Sequence, residues 1–141
     1  MSNHNELAAV FQKTTYKILL SNHAYLDFHF HQLNEDFNAW LTIQGIESWA
    51  FLTPCNPNST QVPEIQNKNN LIKLEEKLKN LQMGYYSALH KADNQNWPDE
   101  PSFLLINVSL DSVQELSEEY HQSAFIYGQS GSEPEIIFYR G

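Results

Sequence analysis

The stretch Tyr16-Lys17-Ile18-Leu19-Leu20-Ser21-Asn22-His23-Ala24-Tyr25-Leu26-Asp27-Phe28-His29-Phe30-His31 decides the fold class. Its second half alternates, with Tyr25, Asp27, His29 and His31 on one face and Ala24, Leu26, Phe28 and Phe30 on the other. A period of two with one apolar side marks a half-buried strand. Residues 16–20 read as a second strand, and Asn22-His23 supplies the turn. Strands joined this tightly pair antiparallel, because a parallel pair needs a crossover of a dozen residues or more.

The same grammar recurs downstream. Residues 85–89 and 102–108 read as strands around a polar loop at 92–101, and residues 123–127 and 135–139 as strands around a Gly/Ser turn at 128–134. Residues 48–53 form a short apolar strand, expected near the centre of the sheet. Helical spacing covers 6–13, 33–44 (with Leu33, Phe37, Trp40 and Leu41 on one stripe and Gly45 as the stop) and 63–82, which Gly84 is expected to end. In the third helix Leu71, Leu74, Leu78 and Leu81 span under two heptads, which suits one face of a domain core rather than a coiled coil. A fourth helix, capped by Ser109 or Ser112, turns Leu110, Val113, Leu116 and Tyr120 inward, and Ser112 with Glu115 fits a capping box. The expected fold is α+β: a single domain with a mixed or mostly antiparallel sheet of about five to seven strands and three or four helices packed on it. Residues 1–14 read as a helical lead-in to a domain over 15–141.

Composition narrows the function classes. The 141 residues carry a net charge of −9 and are 41% hydrophobic, enough for a real core. No run approaches the ~20 apolar residues of a membrane helix. The start Met-Ser-Asn-His-Asn-Glu has neither the basic residues nor the apolar stretch of a signal peptide, so a cytoplasmic location is expected. Cys55 is the one cysteine and cannot form an internal disulfide, which suits a reducing compartment. Between Lys91 and Arg140 there is no Lys or Arg, while nine acids occur. Nucleic-acid binding, which relies on basic patches, is therefore not expected, nor is a membrane partner or a phosphate site built on an Arg fork. The expected partner is a small molecule or a protein.

Two loops carry the candidate chemistry. Thr53-Pro54-Cys55-Asn56-Pro57-Asn58-Ser59 leaves a strand and enters a helix, where backbone N–H groups and the helix dipole favour ligands. Asn56 precedes a proline, which pushes it toward extended geometry and leaves its amide either to a ligand or to capping the turn. Asn96-Trp97-Pro98-Asp99-Glu100-Pro101-Ser102 braces an indole and a carboxylate between two prolines at the mouth of a core strand. Glu100 is the candidate catalytic residue. It is either an acid–base group with its pKa raised against Trp97, or a structural acceptor that stitches its loop to Asn56. Cys55 has no basic residue within ten positions, so it reads as an ordinary loop thiol. His29 and His31 are weak metal candidates, with Asp27 as a third ligand on the same strand face. His90 and His121 stand alone in the sequence. No cofactor or metal is expected, and there is no glycine-rich phosphate loop, nucleophile elbow or Cys-x-x-Cys pair.

The same loops carry a family resemblance. Ala50-Phe51-Leu52-Thr53-Pro54-Cys55-Asn56-Pro57 resembles a pattern of a hydrophobic strand ending in Thr, two variable residues and Asn-Pro, and Asn67 or Asn70 resembles a recurrent asparagine in the next helix. Trp97-Pro98-Asp99-Glu100-Pro101-Ser102-Phe103-Leu104-Leu105 is similar to a Trp-Pro-x-Glu-x-Ser motif with an apolar tail, and Tyr120-His121-Gln122-Ser123-Ala124-Phe125 to an aromatic-Gly-Gln-x-Ala run. The family is the bacterial domain of unknown function numbered 3293, and the likeness covers about Thr15 to Phe138. His121 departs from its usual glycine, and Pro54-Cys55 from a small and a variable residue. The resemblance implies a small bacterial cytoplasmic protein and no particular reaction. It groups Thr53, Asn56, Trp97, Glu100, Ser102 and Gln122, with Asn70 beside them, as binding candidates. A binding module is therefore expected, for a small polar ligand or a protein partner. The alternatives are a hydrolase-like enzyme with Glu100 as general base and Asn56 or Gln122 stabilising negative charge, and an antitoxin-like interaction protein using the acidic face of Asp111 to Glu119.

Overall fold

In the computed structural model, which describes residues 4–140, the opening hairpin forms from β1 (Thr14–Leu19) and β2 (Tyr25–His29), with Tyr16 opposite Phe28. Residues 1–3 lie outside the described residues, so that part of the N-terminal reading and of the 1–14 lead-in does too. A helix, α1 (His4–Gln12), precedes the hairpin. After it come α2 (Glu35–Gln44), β3 (Ser48–Leu52), a short turn at Pro57–Ser59 and α3 (Glu64–Asn80). The remainder is β4 (Gly84–Ala92), β5 (Glu100–Ile106), α4 (Leu110–Glu119), β6 (Ala124–Gln129) and β7 (Glu135–Phe138). The strands make one seven-stranded sheet in the order β2-β1-β4-β5-β3-β6-β7, and every neighbouring pair is antiparallel. The expected α+β class and mostly antiparallel sheet are borne out, with β3 inside the sheet as its apolar sequence requires.

Period two sends alternate residues of this sheet to opposite faces, and both faces are covered. One gathers Tyr16, Phe28, Phe51, Leu104 and Ile126 against Phe37 and Leu41 of α2, with Phe11 of α1 at its border. The other gathers Leu52, Phe103, Leu105 and Phe125 against Leu74 and Leu78 of α3 and Val113 and Leu116 of α4. Burying each large apolar side chain contributes about 1.5–3 kcal/mol, so these two cores hold the helices on the sheet.

Several boundaries differ from the sequence reading for local reasons. The second helix begins at Glu35 rather than Leu33 because the Asn34 amide bonds backward, to the N–H and C=O of His29 and the C=O of Gln32. Leu33 is left exposed. Gly45 ends that helix as expected, at φ 70°. Gly84 does not end α3; Gln82 takes the left-handed turn at φ 57°, and Gly84 opens β4. Ser109 caps α4 by accepting the Ser112 N–H, which places Ser112 inside the first turn, so the Ser112–Glu115 box is not formed and Leu110 faces solvent. The loop expected at 92–101 shrinks to 93–99, since β4 continues to Ala92 and β5 starts at Glu100. Pro101 is tolerated in β5 because it lies past the last β3 pairing on that strand, Leu52 opposite Phe103.

Gly128 of β6 lies opposite Trp49 of β3, and the indole rests directly on its Cα. A methyl there would overlap the ring. Gly128→Ala is expected to cost about 1–3 kcal/mol through overpacking, measured as a lower urea midpoint with an unchanged m value. An unchanged midpoint would show that Trp49 moves freely.

Candidate functional site

The site begins with a hairpin register. In the β4–β5 ladder Glu100 stands opposite His90, and Tyr16 of β1 stands opposite His90 on the other side. Residues paired directly across antiparallel strands project from the same face with Cβ atoms about 4.5–5.5 Å apart. Tyr16, His90 and Glu100 therefore form one row across three strands.

The Asn56 turn docks onto the end of this row. Asn56 Nδ2 donates to Glu100 Oε2 at 2.7 Å, and the Trp97 indole N–H donates to the same oxygen at 2.9 Å. The stitch expected between the two loops is thus formed. Oε1 of Glu100 carries no hydrogen bond from any described residue. Burial raises the Glu100 pKa above the ordinary carboxylate value, and the Asn56 and Trp97 hydrogen bonds oppose that rise. The expectation that Asn56 is extended is overturned: it sits at φ 48° and ψ 62°, in the left-handed region. Asparagine tolerates that region better than other non-glycine residues, and four hydrogen bonds hold it there. Its N–H donates to Asn67 Oδ1, its Oδ1 accepts from Val62 N–H and Asn67 Nδ2, and its Nδ2 holds Glu100.

Other candidates brace this centre. Thr53 donates its hydroxyl to Pro101 C=O and accepts the Cys55 N–H. Gln122 donates from Nε2 to the carbonyls of Cys55 and Tyr120. Of the two helix asparagines, Asn67 joins the network, whereas Asn70 reaches only Pro54 C=O at 3.5 Å. Ser102 is buried with an unpartnered hydroxyl, two residues along β5 from Glu100.

Thr53, Asn56, Trp97, Glu100 and Gln122 line one cavity of about 450 Å³, a volume within the usual range for small-molecule sites. Tyr16, Phe51 and His90 line it as well, and Leu7, Val10 and Phe11 of α1 close one side. Asn70 and Ser102 are not among the lining residues. His90 is the residue that sequence reasoning misses. Its Nε2 is buried and has no hydrogen-bond partner among the described residues. Burial lowers its pKa to about 3, so it is neutral at pH 7. The ring meets Tyr16 edge to face at 4.6 Å. Only the register of β4 against β5 reveals the pairing, and the strand read from sequence at 85–89 stops one residue short of His90.

The remaining candidates separate from this centre. Cys55 is buried in the cavity wall with its thiol 3.5 Å from Pro101 C=O, and burial raises its pKa, which disfavours thiolate. The His29–His31 pairing requires one continuous strand face; β2 ends at His29, and His31 turns to φ 64°, so the alternation does not reach it. His29 Nε2 instead lies 3.1 Å from the Thr15 hydroxyl, which donates to Asp93. Among the described residues no group of three His, Cys, Asp or Glu is placed to hold a metal ion. No described helix is long and apolar enough to cross a membrane.

Comparison with known families adds one finding. Residues 52–125, just over half of the chain, match the family described as "Protein of unknown function (DUF3293)". The chain belongs to this family. The matched stretch contains the whole Asn56–Glu100 stitch, His90 and Gln122, while Tyr16 and α1 lie outside it. His121 sits at φ 54° directly after the α4 cap. A left-handed position of that kind favours glycine, and here the His121 C=O also accepts the Asn58 N–H at 2.7 Å, tying the segment to the Asn56 turn. No curated protein and no solved structure matches the chain.

Proposed function

We propose that this chain is a binding module for a small polar ligand, held in the cavity between α1, the Tyr16–His90–Glu100 row and the Asn56 turn, and that it works in the cytoplasm of a bacterial cell. In this reading residues 15–141 are its domain and residues 1–14 its lead-in, of which Leu7, Val10 and Phe11 border the cavity. The observation that carries this reading is the cavity of about 450 Å³, which has Thr53, Asn56, Trp97, Glu100 and Gln122 on its wall and the Oε1 atom of Glu100 outside the Asn56 and Trp97 hydrogen bonds. A mostly apolar pocket with a few convergent polar groups is the usual form of a small-molecule site.

The hydrolase reading draws less support. Its charge-stabilising amides are largely engaged: both Gln122 Nε2 hydrogens go to backbone carbonyls, and one hydrogen of Asn56 Nδ2 goes to Glu100. The acidic-face reading also weakens, since Glu118 pairs with Arg140 and Glu119 with Lys77.

A fragment screen on 15N-labelled protein tests the binding reading. Hits are expected to shift the amides of Thr53, His90 and Glu100, and to be lost in Ala92→Trp, which fills cavity space. Hits that shift other regions and survive Ala92→Trp would overturn it.

A further inference from the structure

The hydrogen-bonding valences at the cavity are unevenly used. Four donors around the carboxylate already bond within the protein: Trp97 N–H and one N–H of Asn56 Nδ2 to Glu100, Gln122 Nε2 to two carbonyls, and the Thr53 hydroxyl to Pro101. Glu100 Oε1 is free because both bonds to that carboxylate fall on Oε2. His90, directly opposite Glu100 in the ladder, also lines the cavity, but its Nε2 is closed off inside the fold and leaves the Glu100 oxygen as the acceptor. The surroundings are aromatic and apolar, from Tyr16, Phe51, Phe125 and Trp97. Lys13 is the cation among the described lining residues, and it is exposed. The chain as a whole carries −9.

We propose that the cavity takes a primary ammonium group carried on an apolar body, with Glu100 Oε1 accepting its hydrogen bond and the aromatic wall receiving the body. This rests on the binding-module reading and names its ligand class. An ammonium donates to the open carboxylate oxygen and neutralises a charge held in partly desolvated surroundings, which an alcohol does weakly and an anion opposes. Rings facing the cavity add cation–π attraction.

The test compares three probes of one shape: phenethylamine, 2-phenylethanol and 3-phenylpropanoate, titrated into 15N-labelled protein at pH 7. Phenethylamine is expected to shift the His90, Glu100 and Phe125 amides and to bind on the order of tenfold or more tightly than the alcohol, the value of one charge-assisted hydrogen bond. The carboxylate is expected not to bind. Glu100→Gln, which keeps an acceptor for Asn56 and Trp97, should erase the preference for amine over alcohol. Equal binding of amine and alcohol at these amides, or tighter binding of the carboxylate, would overturn the ammonium assignment while leaving the cavity reading intact. No binding by any of the three would also overturn it, and the broader fragment screen would then decide the cavity reading separately.

Discussion

Lowering the pH from 7 to 4 is expected to remove about 3 kcal/mol of stability through His90 alone. In the fold its pKa is lowered to about 3 from an ordinary 6.5. Between those values the unfolded chain binds a proton that the folded chain refuses, so stability is fully present above pH 6.5 and falls as the pH drops toward 3. Each pH unit inside that window costs about 1.4 kcal/mol. Glu100 works in the opposite sense. Its pKa is raised in the fold, so protonation on acidification relieves a buried charge, and it returns part of the loss once the pH enters the carboxylate range. His90→Leu separates the two. At pH 7 its effects nearly offset: relief of the unpartnered Nε2 gains about 1–3 kcal/mol, and loss of the edge-to-face contact with Tyr16 costs about 0.5–1.5 kcal/mol. At pH 4 the variant should be the more stable protein by about 3 kcal/mol. Urea unfolding at steps from pH 8 to pH 4 measures this. Parallel curves for the two proteins would mean that His90 takes up a proton in the folded state.

What can be read from the sequence follows from how local each signal is. The opening hairpin is legible because alternation and a turn suffice to pair β1 with β2. The Asn56–Glu100 stitch, 44 residues apart, is visible as one of two roles because each loop carries its own proline and polar punctuation. His90 is not legible. It reads as a single histidine, and its meaning depends on β4 running to Ala92 and pairing Glu100 in one register. Helix α1 shows an apolar stripe at Leu7, Val10 and Phe11, but a stripe does not say which cavity it borders. The Asn56 backbone departs from the preference of a residue before proline because four hydrogen bonds outweigh that preference, and none of them is visible in the sequence. Side-chain bonding of the same kind moves the start of α2 from Leu33 to the residue after Asn34.

Those four bonds make Asn56→Ala the substitution with the largest expected cost, about 5 kcal/mol. Three of them belong to the side chain, so alanine strips the acceptor from Val62 N–H and from Asn67 Nδ2 and one donor from the Glu100 carboxylate. Net hydrogen bonds of this kind are each worth about 1 kcal/mol, and about 1.5–3 kcal/mol where a charge takes part. Alanine also holds the left-handed backbone less readily, by about 1 kcal/mol. Against a typical total of about 5–15 kcal/mol for a domain, this is a large share. Asn70→Ala, which removes one long bond to Pro54, should stay within about 0.5 kcal/mol. A sharper version isolates the stitch from the turn. Asn56→Asp keeps the acceptor for Val62 and Asn67 and tolerates the backbone, but sets a second carboxylate against Glu100. Adding Glu100→Gln reverses the polarity of that contact: the new amide donates to the carboxylate introduced at position 56, although the Trp97 N–H, which shares the same Glu100 oxygen, then loses its acceptor. The double variant should therefore recover part of what Asn56→Asp loses. If the two changes simply add in urea denaturation, the bond between Asn56 and Glu100 contributes little, and Glu100 is held in place by Trp97 and burial alone.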